Sequence, residues 1–384
     1  MENLEIRFPG NNETAKNNTN VVASRANIKI IGVGGAGTNA ITRMVTANIS
    51  GVQLYAVNTD NDSLRKSAAE NRISIGTGLG VGGDPVKGEM YAEESIDKFR
   101  DMLQGADMVF ITTGMGGGTG TGAAPVIARV ARELDAELQK MGKRGILIIG
   151  VVTKPFSAEG SERVENAKKG IAELREYTDA LIVIPNDRIF SLIDEKTHYE
   201  QGFVFIDDVL RRAIESITDT ITKTGTVNID FADINNILKG AGNAIIGLGD
   251  GKTLEEAFNN AITNKFVEGD DIKEANRILI NISYSKVSEI AVGDVRFAQE
   301  YIQKEFKHYI SLKIGNTENN DLDTKIRVAI IASFKKEEEK QKANNDLFED
   351  AEAQKKEEEK AAVKEDSIDV FGRPAYEIHK PRKL

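Results

Sequence analysis

Cysteine is absent from all 384 residues, which excludes disulfides, zinc–thiolate sites and cysteine nucleophiles. The three histidines, His198, His308 and His379, are scattered without ligand spacing. Basic charge is in deficit: 60 acidic residues stand against 50 basic ones, a formal net charge of −10. That balance favours solubility and argues against a nucleic-acid partner. No segment approaches the apolar length of a membrane span, so direct membrane insertion is not expected. Residues 1–27 are Asn-rich, carry Glu2 and Glu5 and lack an apolar core, so they do not read as a secretory signal. These absences predict a cytoplasmic protein. A P-loop is missing too. Gly247-Leu248-Gly249-Asp250-Gly251-Lys252-Thr253 falls one residue short of one, because Ile246 stands where the first glycine should. Thr253 and Glu256 read instead as a capping box on a helix beginning at Leu254. Any nucleotide hydrolysis must therefore run without a P-loop lysine.

What is present is an alternation of apolar, strand-like runs (28–33, 53–57, 72–75, 108–112, 145–152, 180–184) with helical patterns (90–103, 124–138, 163–177, 205–222). The alternation predicts a Rossmann-like, mostly parallel sheet covered by helices. The helix over 205–222 carries Ile206, Val209, Leu210, Ile214, Ile217 and Ile221 on one stripe and is long enough to join two domains. Beyond it, strands at 244–247, 277–283, 309–314 and 325–333 with helices at 233–238, 254–263 and 295–306 predict a second, smaller α/β domain. Past Phe334 the composition turns to Lys, Glu, Asp, Ala and Asn, which cannot bury a core and reads as a solvated linker. The expected organisation is a disordered extension (1–26), a nucleotide-binding domain (27–204), a central helix (205–224), a second domain (225–334), a charged linker (335–367) and a docking peptide (368–384).

Six glycines occupy the nine positions of Gly114-Met115-Gly116-Gly117-Gly118-Thr119-Gly120-Thr121-Gly122, between an apolar strand and a helix expected from about Ala123. Such a turn lets backbone amides wrap a phosphate, with Thr119 and Thr121 adding hydroxyl donors. Gly32-Val33-Gly34-Gly35-Ala36-Gly37 fits a dinucleotide fingerprint after the first strand, which keeps an NAD-dependent oxidoreductase open as an alternative. Two phosphate-cradling loops suit a mononucleotide triphosphate better. Asn228-Ile229-Asp230-Phe231-Ala232-Asp233 opens the second domain. Its two aspartates, three apart, either share a direction at a helix start or serve as cap and first-turn acid.

Together these segments resemble FtsZ, the tubulin-like GTPase family of bacterial division. Gly116-Gly117-Gly118-Thr119-Gly120-Thr121-Gly122 is similar to the family signature, and Asn58-Thr59-Asp60, Thr153-Lys154-Pro155-Phe156, Pro185-Asn186-Asp187-Arg188 and the stretch 228–233 follow in family order. The resemblance implies a GTP/GDP site. In it Gly34, Gly35, Ala36, Gly37, Thr38 and Asn39, with Gly117, Gly118, Thr119, Gly120 and Thr121, hold the phosphates. Glu159 and Arg163 contact ribose and phosphate, and Asn186, Phe203 and Asp208 frame the guanine. A carboxylate accepts from guanine N1–H and its amine, whereas adenine leaves it unpaired. The resemblance further implies head-to-tail filaments in which Asp230 and Asp233, helped by Asn228, position the attacking water in the next subunit's site. Mg2+ is then held by phosphates and water, with no protein metal ligands. The 368–384 peptide would bind a membrane-anchoring adaptor and other division proteins at a mid-cell ring. A plasmid-partition or cell-shape member of the superfamily is the other alternative. Asp62, Asp84 and the terminal Arg373-Pro374-Ala375-Tyr376-Glu377-Ile378 depart from the usual family pattern.

Overall fold

β1 (Ile28–Val33) is buried at all six positions, as befits a parallel strand covered on both faces. Even Lys29 is enclosed: its ammonium donates to the carbonyls of Met102 at 2.7 Å and Gln104 at 2.8 Å, and burial lowers its pKa. The computed structural model describes residues 26–190, 194, 196–223, 227, 229–263, 272–285, 292–306, 309–319, 322 and 326–334. The expected N-terminal extension up to residue 25, the charged linker and the docking peptide lie outside the described residues.

β2 (Val52–Asn58), β3 (Asn71–Ser74), β4 (Met108–Gly114), β5 (Leu147–Lys154) and β6 (Ala180–Pro185) join β1 in the parallel order β3-β2-β1-β4-β5-β6. One face packs on α1 (Gly34–Thr46) and the central helix, the other on α4 (Ile96–Leu103), α5 (Gly118–Lys140) and α6 (Ser161–Tyr177). β7 (Gly242–Gly251) continues this sheet through two pairs only, Ala180 with Gly242 and Leu181 with Asn243. It then pairs antiparallel with β10 (Ile326–Ser333), beyond which lie β8 (Arg277–Tyr284) and β9 (Ser311–Glu318). This second half has its own core, closed by α10 (Leu254–Thr263) and α11 (Val292–Glu305). The P-loop-like glycines are thus part of a strand. A Cβ at Gly249 would sit 2.1 Å from the Ala257 carbonyl oxygen, so glycine here lets α10 lie against β7. Thr253 accepts from the Glu256 N–H at 3.2 Å as expected, whereas Glu256 accepts from Lys252, one residue earlier than a capping box requires.

Three elements differ from expectation. The central helix, α8 (Tyr199–Thr222), starts six residues before 205; Glu200, Gln201 and Gly202 carry no apolar periodicity and hid its first turns. At 24 residues it spans roughly 36 Å. The single helix expected over 90–103 is two, α3 (Pro85–Glu93) and α4, because Ser95 leaves helical geometry at φ −112° and ψ 15°. Asp84 caps α3, accepting from the Val86 N–H at 3.0 Å with Lys87 3.6 Å away, which gives that departure from the family a structural role. Finally, the glycine-rich segment is helical from Gly118 onward. Its glycines bring α5 against α3: a Cβ at Gly122 would stand 2.1 Å from the Pro85 carbonyl oxygen and 2.5 Å from the Glu89 nitrogen. Part of the entropy those glycines cost is therefore offset by packing rather than by a ligand.

Candidate functional site

The chain leaves β1 towards β2 and β4 towards β5, so the neighbouring ends of β1 and β4 form a topological switch point. Open α/β sheets bind ligands in the crevice outside such a point. Both glycine segments stand there. α1 begins directly after β1, and α5 begins after β4 through Met115-Gly116-Gly117. Gly34, at φ +70°, lies so close to the second segment that a Cβ would be 3.0 Å from the Gly120 nitrogen. Neither helix has a side-chain cap or an acid in its first turn. The helices capped by Asp60, Asp84 and Asp230, namely α2 (Asn61–Lys66), α3 and α9 (Phe231–Leu238), show the contrast. Two uncapped N-termini side by side leave amide donors and positive dipole ends for an anion.

Of the residues expected to hold phosphate, Gly35, Ala36, Asn39, Gly117 and Thr119 reach the surface, while Gly34, Gly37, Thr38, Gly118, Gly120 and Thr121 are buried. Thr121 corrects one expectation: its hydroxyl turns inward and accepts the Gly116 N–H at 2.8 Å, shaping the turn instead of pointing at the crevice. Thr119 and Thr59 share a hydroxyl hydrogen bond of 2.6 Å. Beside the turn opens a cleft of about 980 Å³ lined by Gly83, Asp84, Gly117, Glu159 and Arg163 among others. Arg163 pairs with Glu159 at 2.8 Å, and Glu159 also accepts the Phe156 N–H at 2.8 Å.

A second cleft, of about 770 Å³, brings together Asn39, Phe203 and Asp208 from segments far apart in sequence. Phe203 meets Phe156 edge to face, centroids 6.1 Å apart. Burial pushes the Asp208 carboxyl up, but Arg211 at 2.8 Å and Arg212 at 2.7 Å outweigh it and hold the group below the usual carboxylate range. Asn186 stands at the end of β6, buried, and does not line this cleft. Its Oδ1 is buried without a hydrogen-bond partner, an arrangement that costs roughly 1–3 kcal/mol and that a polar ligand relieves; the Arg43 Nε, also buried, faces the Asp207 carboxylate at 3.6 Å. Arg43 and Asp207 are among the cleft residues that sequence reasoning missed. The signal that could have found Arg43 is its place one turn after Asn39 on α1.

Burial raises the Asp207 pKa to about 6, with Arg43 at 3.6 Å opposing and Asp208 adding to the rise. Between about pH 4 and 6 the folded state therefore binds more protons than the unfolded chain. This group's contribution to stability falls as pH rises through that window and levels off above it. Urea denaturation at pH 4.5 and 7 checks this: relative to Asp207→Asn, the parent chain is expected to lose roughly 2 kcal/mol between the two.

Asp230 and Asp233 lie at the other end of the sheet. The Arg144 guanidinium, just before β5, stacks over Phe231 at 4.7 Å, and Lys239 at the end of α9 donates to the Ile146 carbonyl at 2.8 Å. Both contacts are at the N-terminal edge of the parallel strands, whereas the glycine segments are at the C-terminal edge. The eight residues of β5 put roughly 26 Å between those edges. Asp230 caps α9, accepting the Asp233 N–H at 2.8 Å, and Asp233 pairs with Lys313 at 2.7 Å. The cap reading of Asp230 is thus borne out locally. Asn228 lies outside the described residues.

The family profile described as Tubulin/FtsZ family, GTPase domain, matches residues 27–194. The cell division protein FtsZ of Rickettsia conorii is 39% identical over 320 residues, which cover 81% of this chain and 68% of that protein. The chain belongs to the tubulin/FtsZ family. Among solved structures, an empty FtsZ dimer from M. jannaschii is 34% identical, with a TM-score of 0.73 over 81% of this chain and 89% of that one. CetZ1 from Haloferax volcanii, a GDP-bound monomer, shares the fold at 22% identity, with a TM-score of 0.67 over 81% of this chain and 94% of that one. Membership makes this chain a GTP-hydrolysing cytoskeletal protein of the FtsZ kind. The oxidoreductase alternative suggested by the first glycine segment has no support. Among the described residues, no helix is long and apolar enough to cross a membrane.

Proposed function

We propose that the chain assembles head to tail into filaments and hydrolyses GTP at each joint, Asp230 and Asp233 of one subunit completing the nucleotide site of the next. One observation carries this reading. The anion site and the acid pair occupy opposite edges of the same sheet, too far apart to meet within one molecule. Stacking two copies along the strand direction brings the pair to the crevice. A heterologous contact of this kind does not close and so generates a filament. Phosphoryl transfer needs positioning and charge more than covalent chemistry, which suits a site built from backbone amides, two carboxylates and a bound water.

In this reading Asn39, Phe203 and Asp208 receive the guanine. The ionised Asp208 accepts from its N1–H and amine, with Arg43 lining the same cleft beside Asp207. Among the described residues no group of three or more acidic or histidine side chains stands close enough to hold a metal ion. Mg2+ in this reading sits chiefly on the phosphate oxygens and water, where it offsets phosphate charge. The 368–384 peptide would dock on a membrane-anchoring adaptor and other division proteins, bringing cytoplasmic filaments to the division site.

The test is GTP hydrolysis against protein concentration with light scattering in parallel. A common threshold for both signals is the expected result. Hydrolysis linear from the lowest concentration would mean that each monomer carries a complete site.

A further inference from the structure

The cleft beside the phosphate-facing turn is poor in positive charge. Of its lining residues among those described, Asp84, Glu159 and Glu162 are acids and Arg163 is the one cation, already held by Glu159 at 2.8 Å. Neither glycine segment carries a lysine, so nothing on them replaces a P-loop ammonium. A triphosphate entering this cleft meets amide dipoles but little formal positive charge, and phosphoryl transfer leaves negative charge on the equatorial oxygens that cations stabilise most.

The missing charge stands at the opposite edge of the subunit. Lys313, on β9, has its ammonium 2.7 Å from the Asp233 carboxylate, and its side chain is 44% exposed. Along β9 its neighbours Leu312 and Ile314 pack against the core of the second half, so the strand's alternation directs Lys313 to the other face, towards α9. The hydrogen bond to Asp233 and the charge of that carboxylate, with Asp230 adding to them, raise the lysine pKa further above its ordinary value. The group is a cation throughout the neutral range. An ammonium hydrogen-bonded to the carboxylate that positions the attacking water travels wherever that carboxylate goes.

We propose that Lys313 enters the nucleotide site of the next subunit together with Asp233 and places its ammonium on the transferred phosphoryl group, acting as a catalytic cation in trans. The inference rests on the reading that Asp233 acts across the subunit joint. It assigns this lysine a role that an ion pair at the surface by itself does not have, since the loss of such a pair leaves a chemical rate unchanged.

The experiment uses the full chain with Lys313→Gln and Lys313→Arg. It reads the GTP assembly threshold by light scattering, KM, and the hydrolysis rate per sedimented subunit at saturating GTP. Lys313→Gln is expected to slow hydrolysis by about tenfold or more, with threshold and KM within about twofold of the parent, and Lys313→Arg to restore most of the rate. A Lys313→Gln filament turning over at the parental rate overturns the proposal. If that variant does not assemble alone, equimolar copolymers with the parent chain replace it: a rate per subunit falling towards half supports the trans cation, and an undiminished rate overturns it. Asp233→Ala run beside these separates the two levels. Filaments of that variant hydrolysing normally would refute the joint-site reading itself, whereas their inactivity combined with a fully active Lys313→Gln refutes only the role of the lysine.

Discussion

Filaments of Asp233→Ala are expected to form with GTP and then to hydrolyse it at least about a hundredfold more slowly than the parent. Asp233 is the cleaner of the two acids to remove. Asp230 accepts the N–H of residue 233 at 2.8 Å as the cap of α9, so its replacement by alanine would add a loss of about 1 kcal/mol in helix stability to any catalytic effect. Residue 233 contributes to that cap only through its backbone, which alanine preserves. Its side chain reaches outward to Lys313, and an exposed pair of this kind matters little for folding. Phosphate release per sedimented subunit is the measurement, with scattering to show that polymer is present. Loss of hydrolysis together with polymer is the expected result. Retention of both would end the assignment of the acid pair to the joint.

Glycine to alanine at position 122 is expected to cost about 3 kcal/mol or more, whereas the same change at 117 leaves stability nearly unaltered and abolishes tight nucleotide binding. The two glycines are five residues apart in one motif but face different surroundings. At Gly122 the added carbon would meet the Pro85 carbonyl and the Glu89 nitrogen inside 3 Å, and both are backbone atoms of α3 that cannot turn aside. At Gly117 an added Cβ would meet nothing within 4 Å beyond its own chain neighbours, and φ is −85°, which alanine adopts freely. The methyl group instead projects from the cap of α5 into the place where an anion approaches the amides. Chemical denaturation without nucleotide reads the first effect, and equilibrium binding of a labelled guanine nucleotide reads the second. A Gly122→Ala chain as stable as the parent would show that α3 and α5 can separate.

Much of the fold could be read from the chain because the parallel strands are continuous apolar runs between helices of clear periodicity. The 28–33 strand and the 254–263 helix lie where the pattern puts them. The start of α8 was hidden because Glu200, Gln201, Phe203 and Val204 in its first turns are exposed to solvent and so carry no apolar stripe. Helix 90–103 was misread as continuous because its apolar residues keep helical spacing across the break at Ser95.

For the site, residue types and spacing alone pointed to a phosphate-bearing ligand held by backbone, and determined that no P-loop lysine is present and that an acid pair opens the second half. These follow from local chemistry: which residues tolerate a tight turn, which accept a proton, which cap a helix. Only the tertiary structure decided which glycines face a ligand and which face another helix, since that depends on what packs across from them. It alone brought Arg43 and Asp207 into the cleft of Asp208, through the crossing of α1 and α8. It alone set the acid pair and Lys313 at the edge of the sheet opposite the phosphate site, because strand direction, which no stretch of sequence carries by itself, fixes which ends of the strands meet.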